Sequence, residues 1–127
     1  MQDFKIFTPS GILGYGFDLN EFWTTIESEN PSAIIVDGGS TDPGPYMLGT
    51  GKAICSKQSY LRDLAPMLEA CAEYCMKILI SSAGGAGTNA QVDYIVDIVR
   101  EVAESQGQSF KMATIEFDDD RKIFETK

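Results

Sequence analysis

Asp37 and Asp42 stand five residues apart around Gly38, Gly39, Ser40 and Thr41, in a run that Pro43 and Pro45 then stiffen. Carboxylates so placed can hold Mg²⁺ through water, or one of them can serve as a general base. Ser40 and Thr41 add donors for a carboxylate or carbonyl of a ligand, while Gly38 and Gly39 let a ligand approach the backbone closely. The competing account of the same residues is an ordinary turn. In it Asp42 closes an Asx turn before Pro43, Asp37 accepts backbone amides, and the hydroxyls serve their own loop.

A second run of the same kind, Ser81-Ser82-Ala83-Gly84-Gly85-Ala86-Gly87-Thr88-Asn89, follows the apolar stretch Ile78-Leu79-Ile80. Gly85-x-Gly87-x-x-Ala90 formally matches the dinucleotide fingerprint, with Glu116 as a loose candidate for the ribose-binding acid. Its physical content is a helix amino terminus, whose unpaired amides favour phosphate or carboxylate. A general anion site built from Ser81, Ser82, Gly84, Gly85 and Gly87 is therefore preferred to a specific NAD site. Gly49-Thr50-Gly51-Lys52 resembles the end of a Walker loop, but Tyr46 replaces its first glycine and Ala53 its hydroxyl residue, so a P-loop is rejected. Lys52 remains a candidate counter-charge for an anionic substrate, against plain surface solubility. Tyr15, between Gly14 and Gly16, either lines the same edge or packs.

The chain contains no histidine, which removes Ser-His-Asp and Cys-His triads and imidazole metal ligands. Chemistry would rest on carboxylates, hydroxyls, a lysine or a bound cofactor. Cys55, Cys71 and Cys75 make an odd count without a secretion signal, which disfavours a disulfide framework, and the last two are expected to share one helix face as small apolar residues. The Asp118–Asp120 cluster is expected to be a solvated turn. A formal charge of −9 disfavours nucleic acid and anionic membrane surfaces. The apolar runs fall far short of the roughly 20 residues that span a bilayer, and the start lacks the pattern of a signal peptide. Expectation is a cytoplasmic protein.

These loops need strands to carry them. Residues 4–8, 32–36, 77–81 and 112–117 read as four strands, and residues 37–51 read as loop. Between the strands, helical spacing places one helix after Asp18 or Asn20, a second capped by Ser59, and a third capped by Asn89 and ended by Gly107. The second helix has an apolar stripe of Leu61, Leu64, Ala65, Leu68, Cys71, Ala72 and Cys75, and Pro66 is expected to delay or kink it. The order βαβαβαβ predicts an α/β fold: a three-layer, Rossmann-like domain with a mostly parallel sheet over residues 1–127, ending in a polar tail at 118–127. Four parallel strands leave sheet edges to be paired or protected, which implies a larger partner chain, a homo-oligomer or a missing remainder.

On three segments the chain resembles the acyclic terpene utilisation AtuA-like family. They are Gly11-Ile12-Leu13-Gly14-Tyr15-Gly16-Phe17, Asp37 through Lys52, and Ser81 through Gly87 continuing into Val92-Asp93-Tyr94 and Asp97-Ile98-Val99-Arg100-Glu101. The middle segment is the specific one. Family members are considerably longer, so the chain resembles their amino-terminal part, either as a truncated piece or as the small subunit of a divided enzyme. The resemblance implies catabolism of acids or acyl thioesters without naming a reaction. Together these observations give an expected component of a catabolic enzyme, of lyase or hydrolase type, that binds an anionic small molecule at the carboxyl ends of its strands. Asp37 and Asp42 are the candidate catalytic groups, Mg²⁺ or a CoA thioester the candidate bound species, and the metal itself is left open. The rivals are a nucleotide-binding module without chemistry and a non-catalytic interaction subunit.

Overall fold

The computed structural model describes residues 3–116. Its elements are β1 (Ile6–Phe7), α1 (Leu19–Glu29), β2 (Ala33–Asp37), α2 (Gly44–Thr50), α3 (Lys57–Tyr74), β3 (Lys77–Ser81) and α4 (Asn89–Ser105), with a 3₁₀ turn at Ala83–Gly85. The three strands form one parallel sheet in the order β1-β2-β3, with Ile34 opposite Ile78 and Asp37 opposite Ser81. The protein is thus mixed α/β with a small parallel sheet.

α1, α3 and α4 each begin where a side chain takes over an unpaired amide. Asp18 accepts from Glu21, Ser56 from Ser59, and Thr88 from Gln91, whose own side chain completes a capping box. The second and third of these caps lie before the expected Ser59 and Asn89. α1 ends at Asn30 and α3 at Cys75, both with left-handed backbone and an amide returned to the preceding turn. α3 runs unbroken through Pro66, and Gln106 and Gln108 donate their side-chain amides to the Ala65 and Leu68 carbonyls.

One cluster joins all three long helices to one sheet face: Phe22 and Ile26 of α1, Leu64 and Met67 of α3, and Ile95 and Ile98 of α4 pack with Ile34 and Val36. The alternate strand residues point away from this core. Ile6 is 57% exposed and Leu79 53%, so the second sheet face is uncovered among the described residues. The arrangement has two layers there rather than the expected three.

Two further expectations change. Residues 44–50, read as loop, form α2, because Pro43 and Pro45 fit a first helical turn, where no amide is required. Residues 112–116 carry no strand and are exposed, since an added edge strand gains one ladder and one covered face to offset its ordering. Phe117 and the tail at 118–127, with Asp118–Asp120, lie outside the described residues. The predicted stripe of α3 packs at Leu61, Leu64, Ala65, Leu68 and Cys71, with Tyr60, Asp63 and Met67 buried beside it, while Ala72 and Cys75 are exposed.

Candidate functional site

β2 and β3 end side by side, and this register delivers both glycine-rich loops to one sheet edge. Asp37 closes β2 with its side chain on the uncovered face, where its Oδ1 accepts from the Ser81 hydroxyl at 3.0 Å and the Gly39 amide at 3.0 Å. Both Asp37 and Ser81 are exposed. The backbone carbonyl of Asp37 accepts from Leu13 at 2.8 Å, which brings the Gly14-Tyr15-Gly16 turn to the same edge. Tyr15 projects from that turn and is exposed.

The glycines serve contact between the loops. The Gly38 amide donates to the Ser81 carbonyl at 2.7 Å, and a Cβ on Gly38 would lie 2.8 Å from the Ser82 carbonyl oxygen. A Cβ on Gly39 would collide with the Gly85 carbonyl. Gly38, Gly39, Gly84, Gly85 and Gly87 are accordingly buried, their backbones packed loop against loop. The strand order never reverses within the described sheet, so the crevice that a reversal creates in open α/β sheets is absent from it.

The amino terminus of α4 is occupied from within. Gln91, 1% exposed, places its Oε1 where an anion would sit, accepting from Ala86 at 3.1 Å and Thr88 at 3.2 Å. Its Nε2 donates to the Lys52 carbonyl at 2.9 Å and the Met47 carbonyl at 3.3 Å, tying α2 and the following loop to the turn. The Gly85 and Gly87 amides donate to Ser82 and Ala83 carbonyls. The fingerprint spacing thus describes a self-satisfied turn, and Glu116 lies in the exposed segment beyond α4.

What stays accessible is a rim. Asp37, Thr41, Asp42, Lys52, Ser81 and Ser82 are exposed, and Ser40 is half-buried. Asp42 sits in the turn before α2, and no hydrogen bond joins it to Asp37 among the described residues. Nor do the described residues contain a cluster of three acidic or cysteine side chains able to hold a metal. The Asp37–Ser81 pair can accept from a ligand hydroxyl, take a proton, or supply one ligand to a hydrated cation.

A second polar centre was hidden in the sequence. Asp63 of α3, 1% exposed, accepts from Gly14 at 2.7 Å and Gly16 at 3.0 Å through Oδ2, and from Arg62 at 2.9 Å through Oδ1. Arg62 also donates to the Gly14 carbonyl at 2.9 Å. Positive φ at Gly14 and Gly16 lets both amides point at one oxygen. Beneath this turn lie Cys55 and Tyr60, and the Tyr60 hydroxyl accepts from the Cys55 amide at 3.3 Å. Burial raises the Cys55 thiol, pushes Tyr60 up to about 12 and pushes Cys71 up to about 11, so none of the three is activated as a nucleophile.

These features define an α/β protein with a parallel sheet and a polar rim at the carboxyl ends of its strands. Compared with family models, curated proteins and solved structures, the chain returns no match. No helix among the described residues is long and apolar enough to cross a membrane.

Proposed function

We propose that the chain is one part of a larger α/β enzyme and supplies one wall of its small-molecule site. The observation that carries this reading is the hydrogen-bonded Asp37–Ser81 pair, held in register at the ends of adjacent parallel strands and turned to an uncovered face. Asp37 is assigned the acid–base role. Ser40, Thr41 and Ser82 are assigned to hydrogen bonding, and Lys52 to neutralising an anionic end of the metabolite, which the AtuA-like resemblance suggests is a carboxylate or CoA thioester. The uncovered sheet face supports the second half of the reading. Another chain or chain segment lies over it, gives the three-layer order, and closes the site.

Amide chemical shifts recorded while titrating the protein with acetyl-CoA, free CoA and Mg²⁺ test this. The expected result is a set of saturable shifts at Gly39, Ser81 and Ser82 that Asp37→Asn removes. Shifts confined to other surfaces, or none with any of the three probes, would overturn the assignment. The interaction-subunit reading is favoured by the same uncovered face, and it predicts no ligand-induced shift together with co-purification of a larger chain.

A further inference from the structure

Where β1 ends and α1 begins, the protein holds a cavity of about 110 Å³ whose chemistry differs from that of the Asp37 rim. Phe7 and Pro9 reach it from β1 and the chain after it, and Phe17 from the approach to α1. Asp18 caps α1, and Glu21, Phe22 and Thr25 follow at helical spacing on the same side. The Phe22 ring is buried in the core, with its centre 5.6 Å from that of Phe7 and 5.1 Å from that of Phe17. These contacts fix the aromatic wall, while Asp18 and Glu21 are exposed.

The polar groups here have their donors spent and their carboxylates open. The Thr25 hydroxyl donates to the Glu21 carbonyl at 2.8 Å, the Glu21 amide to Asp18 Oδ1 at 2.9 Å and the Phe22 amide to the Asp18 carbonyl at 2.9 Å. Pro9 has no amide to offer. An anion would therefore meet two carboxylates and none of these donors. Asp18 Oδ2 and the Glu21 carboxylate have no hydrogen-bond or ion-pair partner among the described residues. Their two negative charges outweigh the roughly half-unit positive charge at the amino terminus of α1. A cation is the complementary ligand, and the rings decide its kind. A metal ion needs a shell of several oxygens, whereas phenyl rings attract an organic cation that has shed its water. Ammonium N–H groups would find no acceptor along the rings, so a fully methylated nitrogen fits best.

We infer that this cavity binds the quaternary ammonium head of a small molecule, with Phe7, Phe17 and Phe22 against its methyl groups and Asp18 and Glu21 balancing its charge. A phosphate ester beside the ammonium would face the same two carboxylates, which favours a choline-like alcohol over the phosphocholine head of a lipid. A methylated lysine would bring a peptide backbone that also has to be held, and β1, two residues long, is too short an edge to pair with one. The site lies apart from the Asp37 rim, and neither requires the other.

Amide chemical shifts of the full chain test this during titration with choline, phosphocholine, ammonium chloride and the uncharged analogue of choline in which carbon replaces nitrogen. Choline should give saturable shifts at Phe17, Glu21 and Thr25, with an affinity roughly tenfold above that of each other probe. No saturable shift with choline, or equal affinity for the uncharged analogue or for phosphocholine, would overturn the inference. A trimethyl-lysine peptide that binds where choline does not would give the cavity to a protein partner and overturn it equally. Phe17→Leu keeps apolar bulk without the ring and should weaken choline roughly fivefold. Glu21→Gln, at an exposed position outside the core, should weaken it about threefold and keeps the test decisive if Phe17→Leu fails to fold. Unchanged affinity in Glu21→Gln or in folded Phe17→Leu counts against the site. The CoA and Mg²⁺ probes report at Gly39, Ser81 and Ser82, so failure of one site is read separately from failure of the other.

Discussion

Asp63 and Asp37 each offer one carboxylate oxygen to two donors near a glycine turn, yet they belong to opposite classes of interaction. Asp63 receives the Gly14 and Gly16 amides in a buried position and spends its other oxygen on Arg62. Asp37 receives the Gly39 amide and the Ser81 hydroxyl on an open rim, and its Oδ2 has no hydrogen-bond partner among the described residues. Burial makes the first a fixture, since the Gly14 amide has no water to fall back on. Exposure leaves the second with capacity to spare, which is what a ligand needs.

The most destructive way to probe this contrast is Asp63→Ala. It orphans the Gly14 and Gly16 amides while Arg62 stays solvated, so a loss of about 3–5 kcal/mol is expected in urea unfolding, from two hydrogen bonds to a charged acceptor at about 1.5–3 kcal/mol each. Asp63→Asn keeps an acceptor for the amides and should lose distinctly less. If Asp63→Ala cost under about 1 kcal/mol, burial would not separate the two aspartates as argued.

Gln91 comes next, because it is the neutral counterpart of Asp63 on the other loop. Gln91→Leu keeps the bulk while orphaning two amides and two carbonyls, with an expected loss of about 2–4 kcal/mol. Gln91→Glu tests whether its oxygen truly stands in for an anion. It keeps the two accepted bonds but turns a carboxylate oxygen towards the Met47 and Lys52 carbonyls. Stability should therefore fall at neutral pH and recover as the new carboxyl is protonated, and equal loss at every pH would refute that account.

Alkaline pH offers a smaller and region-specific lever. Tyr60 is raised by burial to about 12 from 10.0, so the folded state holds its proton more tightly than the unfolded chain does. Its stabilisation is complete below pH 10 and is lost as pH rises towards 12; for Cys71 the loss runs from 9.0 to about 11. Thermal unfolding should show Tm falling through these windows. Cys71→Ala should remove the earlier part of the fall and Tyr60→Phe the later part. Since Tyr60 lies under the Gly14 turn, the loss should report the Asp63 side of the molecule and not the rim.

How much of this was visible in the sequence depends on the distance over which each residue acts. The helices with strong 3.6-residue patterns and the strands at Ala33–Asp37 and Lys77–Ser81 were legible, because their apolar spacing is a local property. α2 was not, since Gly44-Pro45-Tyr46-Met47-Leu48-Gly49-Thr50 has the composition of a loop and is held by Gln91 from 44 residues away. Asp63 was illegible for the same reason: its partners Gly14 and Gly16 lie 49 and 47 residues upstream. For Gln91 a signal did exist. Thr88-x-x-Gln91 has capping-box spacing, and weighing it would have put the helix start at Thr88 and filled the supposed anion site. The glycines were read as letting a ligand approach the backbone, whereas Gly38 and Gly39 make room for the neighbouring loop, a distinction that composition alone does not make.

The smallest expected effect on stability is the one that bears most on function. Asp37→Asn retains an oxygen for the Gly39 amide and the Ser81 hydroxyl, and the side chain is exposed, so unfolding should change by no more than about 0.5 kcal/mol. The same substitution removes the negative charge and the basic site, so response to the ligand probes should vanish at a rim that stays folded. Asp63→Ala, by contrast, should lower stability first and affect binding only where the Gly14 turn has come loose. Were Asp37→Asn instead to unfold the protein as Asp63→Ala does, the rim would be a second structural clamp, and the open oxygen of Asp37 would have no claim to a ligand.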